Sequence, residues 1–339
     1  MKKLLSKSWV RTLTGVAACM FAATAVQAEP FNVRLDWTPW GNHAAFHLAD
    51  QKGWYDEAGL DINFEDGNGS VTTVQIIGSS DNFDAGHAAL APMMIARDKG
   101  LPVKAVAPFV RRNDIGVLVP KDSGMKGPAD LKGKKLVYTA GSLEAPFMDG
   151  FLAAGGLTRD DVELLNVEAA GKVTTYAVDR ADAVVSTIPF VLPFVQKQRP
   201  SNAIPFADYD LNMPSFGILA SESKLKSRGE DISKFASVTA RAWEYIMDGN
   251  EDEAVEAILA ARPQARLDKE VLRGQIEALK PYFGKPVEGF RMGQPIPAEW
   301  EGAVQTLTKV GLIEKGLPAT DFYVTDMVNP GQYDGMIKK

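Results

Sequence analysis

Cysteine is nearly absent from this chain of 339 residues, whose one cysteine, Cys19, falls within the first 28 residues. An internal disulfide and a cysteine-rich metal site are therefore excluded, and the rest of the chain has no thiol nucleophile. Histidine is also scarce, with three residues, which limits the choice of a general base. Because the G-x-S-x-G, Walker and H-E-x-x-H patterns are missing too, we predict that the protein is not an enzyme and carries no cofactor.

Clusters of basic residues are lacking, and acidic residues outnumber basic ones by 43 to 37. A net negative charge disfavours binding to nucleic acid and to anionic membrane surfaces. Neither is therefore a predicted partner.

No apolar run reaches the roughly 20 residues that a helix needs to span a bilayer. The first 28 residues instead join a basic start to the shorter apolar run GVAACMFAATAV and the small residues of VQA. This pattern is typical of a signal peptide, so we predict that residues 1–28 are cleaved after Ala28 and that the protein is periplasmic. Lipidation of Cys19 is disfavoured because the apolar run continues past it.

Segments of strand character alternate with helical segments, beginning with the strand FNVRLDW and the helix HAAFHLADQKGWYDEAG. This order predicts an α/β fold with mostly parallel sheets. Two extended stretches, IGVLVPKDSG and PSFGILASES, are interpreted as crossings between two lobes. We predict that lobe one comprises residues 29–115 plus 220–339, and lobe two residues 116–219. Two crossings allow a hinge, and ligands in such folds bind at the carboxyl ends of strands, in a central cleft.

The turn after the first strand, LDWTPWGNH, concentrates groups that suit a flat ligand. Trp37 and Trp40 offer stacking surfaces, and we expect one to face the ligand and the other to pack at the rim or between the lobes. Burial of both in a core is the alternative. Asn42 suits a heteroaromatic edge or caps the next helix, and His43 is a candidate donor to the ligand. Asp36 accepts either from a ligand amine or from backbone amides.

Two serines, Ser70 and Ser142, each follow a glycine and precede a predicted helix. Helix N-termini attract carboxylate, sulfonate or phosphate groups, although a plain N-cap is the alternative. Glu144 lies just inside the second predicted helix, where a carboxylate prefers an amine or a ring N–H. These features leave two ligand classes open: a planar heteroaromatic molecule, which we favour, and a small organic anion.

Four more residues complete the candidate site: His87, Tyr138, Pro189 and Phe190. His87 would approach the ligand from the strand-end turn GHAAL, and the other three would supply an apolar wall from lobe two. His43 and His47 have the i, i+4 spacing of metal ligands, but Ala44 stands where the H-E-x-x-H pattern has glutamate. Further ligands are lacking, so we predict no metal.

The pieces LDWTPWGNHAAFHLADQKGWYDEAGLDI, GPADLKGKKLVYTAGS, ADAVV and WEGAVQTLTKVGLI resemble periplasmic substrate-binding proteins of ABC importers, in particular the NMT1-like family. That family includes binders of pyrimidine precursors, sulfonates and nitrate. The resemblance implies a type II fold with two hinged lobes, a permease and its ATPase as partners, and a monomer. Relatives usually read WTPN in the first turn, whereas this chain has Trp40 in place of the small polar residue.

This resemblance favours a pyrimidine-type ligand and leaves an alkylsulfonate, taurine or an aromatic carboxylate as the rival. A related eukaryotic pyrimidine synthase shares the fold but uses a cysteine-rich iron-binding motif, which this sequence lacks. An enzyme of that kind is therefore disfavoured. A sensory binding protein that docks on a receptor stays open as a third class.

Overall fold

A computed structural model describes residues 29–336, so the predicted signal peptide 1–28 lies outside the described residues. Within this range no helix combines the length and apolar character required to cross a membrane. The strands are β1 Pro30–Arg34, β2 Asp61–Glu65, β3 Ala85–Ala89, β4 Val103–Pro108, β5 Ile115–Pro120, β6 Lys135–Tyr138, β7 Glu163–Asn166, β8 Ala183–Thr187, β9 Ser201–Pro205 and β10 Phe216–Ser221. The α-helices are α1 Ala44–Gln51, α2 Trp54–Glu57, α3 Ser70–Ser79, α4 Leu90–Asp98, α5 Met148–Ala154, α6 Ala169–Ala177, α7 Ile188–Val195, α8 Glu222–Ser227, α9 Gly229–Met247, α10 Glu251–Ala261, α11 Lys269–Leu279 and α12 Pro297–Lys309.

The strands form two five-stranded sheets, with the orders β2-β1-β3-β10-β4 and β7-β6-β8-β5-β9. In each sheet one strand, β10 or β5, runs antiparallel to both of its neighbours, and the other pairings are parallel. The predicted α/β fold with mostly parallel sheets is confirmed. The two stretches interpreted as crossings are themselves strands β5 and β10, so the predicted lobe limits fall inside strands. We call the halves built on the first and second sheets lobe one and lobe two.

Both central strands, β3 and β8, are buried along their whole length. The carboxy-terminal helices extend the core of lobe one, where the ring of Phe235 from α9 lies 5.3 Å from Phe31 of β1 and 5.9 Å from Phe46 of α1. The helix predicted over residues 43–59 is divided in two, because the chain takes a positive φ of 70° at Gly53. Nearby, the hydroxyls of Tyr55 and Thr239 are 2.7 Å apart and join α2 to α9.

Polar side chains connect the two segments that link the lobes. The amide of Asn113 donates to the carbonyl oxygen of Leu211 at 2.5 Å, and the carboxylate of Asp114 accepts from the hydroxyls of Ser215 and Thr187. Burial raises the pKa of Asp114 to about 6, although the two hydroxyl donors oppose the shift. These contacts tie both linking segments to the end of β8, as a hinge requires.

Helix α11 of lobe one packs against α7 of lobe two. A Cβ added at Gly274 would lie 2.9 Å from Cβ of Pro193, so the small residue permits this approach. Next to it, Gln275 accepts from the backbone N–H of Gly41 at 2.9 Å and donates to the carbonyl oxygen of Phe190, also at 2.9 Å. One side chain therefore joins the first turn of lobe one to the wall of lobe two.

Candidate functional site

A narrow cavity of about 10 Å³ lies between the lobes. Its walls come from the ends of β1, β6 and β8, from α6 and α7, and from the start of β10, as expected for the carboxyl edges of two facing sheets. The lining residues are Asp36, Trp37, Trp40, Ser142, Leu143, Lys172, Ser186, Thr187, Phe190 and Phe216. The volume is below the range of about 300–1,000 Å³ that is common for drug-sized ligands. This cavity is therefore small, and four of its ten lining residues are aromatic.

Aromatic rings meet edge to face around this cavity. The ring of Phe190 lies 6.2 Å from Trp37 and 5.4 Å from Trp40, and Phe216 lies 5.6 Å from Trp40. Both tryptophans are almost fully buried, and neither indole N–H has a hydrogen-bond partner among the described residues. Buried indole N–H groups usually find a partner, so both retain an unused donor beside the cavity.

Behind the aromatic wall, Asp36 organises a buried hydrogen-bond network. One oxygen, Oδ1, accepts from Nε2 of His43 at 2.9 Å and from Nδ1 of His87 at 3.0 Å. Burial by itself would raise the pKa of Asp36, but these two donors outweigh it and lower the pKa to about 2. Burial lowers the pKa of His87 against the effect of Asp36. The ring of His87 is therefore neutral, and its Nε2 accepts from the amide of Asn42 at 3.5 Å.

The same three residues have the composition of a metal site, since Asp36, His43 and His87 place one ligand atom each within 4.8 Å of the others. In the observed arrangement each imidazole donates an N–H hydrogen bond to the carboxylate of Asp36. A metal ion binds only an unprotonated ring nitrogen, so each imidazole would have to give up this N–H proton to coordinate one here. The absence of a metal stays a prediction, for which metal analysis of the purified protein is the direct measurement.

A fully buried ion pair lies on the lobe-two side. The ammonium of Lys172 is 2.8 Å from Oε1 of Glu144, and the two side chains are 1% and 0% exposed. The same ammonium lies 4.6 Å from the ring centroid of Trp37, close enough for a cation–π contact across the lobes. Lys172 was not predicted. Its signal in the sequence is a charge on the buried stripe of α6, where Ala169, Val173 and Tyr176 are the other buried positions.

The GNGS turn brings lobe one to lobe two. The N–H of Gly69 donates to the backbone oxygen of Asp36 at 2.7 Å, and the N–H of Val71 donates across the cleft to the carbonyl oxygen of Gly141 at 3.1 Å. Gly69 is the N-cap of α3, and the hydroxyl of Ser70 accepts from the backbone N–H of Ala89 at 3.1 Å. The amino end of this helix therefore faces a carbonyl group of the other lobe.

The interpretation of Ser142 as the start of a helix is wrong. The first helical turn after it is a 3-10 turn at Ala145–Phe147, followed by α5, and the hydroxyl of Ser142 donates to the carbonyl oxygen of Thr139. The expected pair of serine-capped helix ends is thus not present. This pair was the main argument for an anionic ligand, so that argument is removed.

The predicted residues fall into three positions. Five of them line the cavity: Asp36, Trp37, Trp40, Ser142 and Phe190. Four others lie one layer behind it, through contacts with Asp36, His87 or Lys172: Asn42, His43, His87 and Glu144. The remaining three are not among its walls: Ser70, Tyr138 and Pro189. Both tryptophans face the same cavity, whereas we expected them to divide between ligand and rim. The missed wall residues are Leu143, Lys172, Ser186, Thr187 and Phe216.

Two α/β lobes with a cavity between them define a type II solute-binding fold. The alkanesulfonate-binding protein from Xanthomonas axonopodis pv. citri, in a structure bound to MOPS, matches it with a TM-score of 0.66 at 15% identity. The match covers 89% of this chain and 100% of that one. Residues 40–253 match the family described as NMT1/THI5 like, and the chain belongs to this family. The predicted family and fold are confirmed.

Relatives that match most of the chain include both binding proteins and enzymes. The formylaminopyrimidine-binding protein of Halalkalibacterium halodurans is 26% identical over 311 residues, which cover 88% of this chain and 91% of that protein. The 4-amino-5-hydroxymethyl-2-methylpyrimidine phosphate synthase of Aspergillus parasiticus is 25% identical over 268 residues, which cover 74% of this chain and 71% of that protein. Membership of the family therefore establishes the fold. The choice between a binding protein and a synthase depends on the residues of the site.

Proposed function

We propose that this protein is the solute-binding component of an ABC importer and that it captures a small planar heteroaromatic molecule of the pyrimidine type between its lobes. The observation that carries the proposal is the aromatic cavity formed by Trp37, Trp40, Phe190 and Phe216. Flat rings stack on or against such walls with about 0.5–1.5 kcal/mol beyond the burial of area. The cavity of about 10 Å³ is closed down here, so a ring would be admitted only when the lobes move apart. The name of the relative from Halalkalibacterium halodurans supports the same ligand class.

The charges around the cavity favour a neutral or basic ring over an organic anion. Asp36 is ionised, with a pKa of about 2, and the charge of Lys172 is matched by Glu144. An anion would meet a net negative site, where like charges repel. The amino end of α3, the expected anion site, already donates through Val71 to Gly141.

An enzymatic role has less support at this site. The nearest histidines, His43 and His87, are both committed to Asp36 and lie behind the cavity wall. Neither offers a free general base to a bound molecule. Binding followed by lobe opening and delivery needs no such base.

We further propose that the protein acts outside the cytoplasm after removal of residues 1–28, as a monomer that docks on a membrane permease with its ATPase. Solved structures of this fold include an alkanesulfonate-binding protein, which supports a solute-binding role. The linking segments near residues 109–114 and 211–215 are the proposed limits of the lobes.

Replacing Trp37 with alanine is expected to weaken the binding of 4-amino-5-hydroxymethyl-2-methylpyrimidine about tenfold, because one stacking wall is lost. Isothermal titration calorimetry measures the change. Trp54→Ala is the matched control, since Trp54 is equally buried but packs on Tyr245 in lobe one, away from the cavity. Unchanged affinity in Trp37→Ala, or binding of taurine and alkylsulfonates alone, would contradict the proposed ligand class.

A further inference from the structure

The buried ion pair between Lys172 and Glu144 is poorly suited to a purely structural role. Its members are 1% and 0% exposed, so both charges are removed from water. The desolvation of two ions commonly offsets their attraction, and buried pairs are weak sources of stability. A pair retained at the wall of a ligand cavity therefore calls for a role in recognition.

Both members have hydrogen-bonding capacity that the described residues do not use. Oε2 of Glu144 has no partner, while Oε1 accepts from the ammonium of Lys172 at 2.8 Å. An ammonium group carries three protons. One is donated to Glu144, and the face of Trp37 lies 4.6 Å away on another side. An acceptor and a donor are thus left side by side at one wall.

The ammonium of Lys172 lies over the ring of Trp37, 4.6 Å from its centroid. Aromatic pairs have centroid separations of about 4.5–7 Å. A ring nitrogen that accepts from the ammonium of Lys172 would therefore bring its ring close to the indole of Trp37. Lys172 lines the cavity itself, and Glu144 lies one layer behind it, bonded to the ammonium of Lys172.

We propose that Glu144 and Lys172 together read one edge of the ligand and that this edge is of the amidine type. The exocyclic amine of an aminopyrimidine would donate to Oε2 of Glu144, and the adjacent ring nitrogen would accept from Lys172. This inference rests on the proposed function and narrows its ligand class to rings that place a donor next to an acceptor. A 4-oxo ring has the reverse order at the same edge, with a carbonyl oxygen beside a ring N–H.

The test compares 4-amino-5-hydroxymethyl-2-methylpyrimidine with its 4-oxo analogue by calorimetry. We expect the wild-type protein to prefer the amino compound by at least about tenfold, which is the lower range for one hydrogen bond to a charged group. In Glu144→Gln the preference should fall about tenfold, because an amide both donates and accepts. In Lys172→Met the affinity for the amino compound should fall by a similar factor.

Single variants leave one buried charge without its partner and risk unfolding. The double variant Glu144→Gln/Lys172→Met removes both charges with little change in shape, and its folding can be followed by thermal unfolding. It should bind both compounds with no more than about a twofold preference. The matched control, Lys135→Met/Glu163→Gln, makes the same changes at a more exposed pair of lobe two and should keep the wild-type preference.

The outcomes separate this inference from the proposed function. If both compounds bind and the double variant keeps the wild-type preference, the ion pair does not read the ring and the inference is wrong. If the wild-type protein binds neither compound nor any other heteroaromatic ring, the proposed function fails and the inference fails with it.

Discussion

The variant Gly69→Ala is expected to lose about 100-fold in ligand affinity while keeping the fold of each lobe. Gly69 lies where lobe one meets lobe two, with a φ of 151°. A Cβ at this position would lie 2.1 Å from the carbonyl oxygen of Gly141 in lobe two, which is far inside van der Waals contact. Since the obstacle is backbone, a rotamer change does not relieve it, and the lobes have to separate.

The size of the effect follows from the closed state. A ligand held between two lobes needs the closed arrangement, and its apparent affinity falls with the population of that arrangement. A steric conflict of about 3 kcal/mol, at the upper end for overpacking, corresponds to a loss of about 150-fold. The contact of Val71 with Gly141 would break in the same event.

Gly53→Ala is the control for backbone strain without a clash. Gly53 also has a positive φ, of 70°, but a Cβ there would meet nothing within 4 Å. We expect this variant to lose some stability and to bind normally. Small-angle scattering should show Gly69→Ala in a more open shape in the presence of ligand. Wild-type affinity in Gly69→Ala would mean that closure at this contact is not needed for binding.

The sequence predicts the site best where residues suited to ligand binding stand directly after a strand. Trp37 and Trp40 stand in the turn after a strand, where the carboxyl edge of a sheet places its ligands, and both line the cavity. Phe190 follows β8 in the same way. A strand and the turn after it are adjacent in the chain, so one short segment is enough to predict that these residues lie at the ligand-binding edge of a sheet.

What the sequence could not supply are the contacts between distant segments. Phe216 and Lys172 reach the cavity from a strand and a helix whose placement depends on the sheet order. Likewise, β5 and β10 are interpreted as linkers because each pairs antiparallel with strands that lie far from it in the chain, and the sequence does not show such pairing. The expected roles of Asn42 and His87 were missed for the same reason. His87 bonds to Asp36, 51 positions away, and Asn42 bonds to His87, 45 positions away.

The variant Asp36→Ala is expected to lower the free energy of unfolding by about 4 kcal/mol at pH 7. Truncation leaves two buried N–H donors, on His43 and His87, without an acceptor, and each such group costs about 1–3 kcal/mol. Urea unfolding with and without ligand measures the change. Asp36→Asn should cost less, because the amide oxygen can still accept both bonds. Asp61→Ala, at an exposed position of β2, should stay within about 0.5 kcal/mol of the wild type.

The pH dependence of this difference identifies the cause. The pKa of Asp36 is about 2 in the folded protein and near 3.8 in the unfolded chain, so folding favours the ionised form. Such a group contributes stability above its unfolded pKa and loses it as pH falls through the folded pKa. The wild type should therefore lose an extra roughly 2 kcal/mol between about pH 4 and pH 2, which Asp36→Ala has already lost. The free energies of unfolding of the two proteins should therefore approach each other on acidification. If their difference stays constant with pH, the effect of the variant comes from lost packing around the cavity and not from the charge of Asp36.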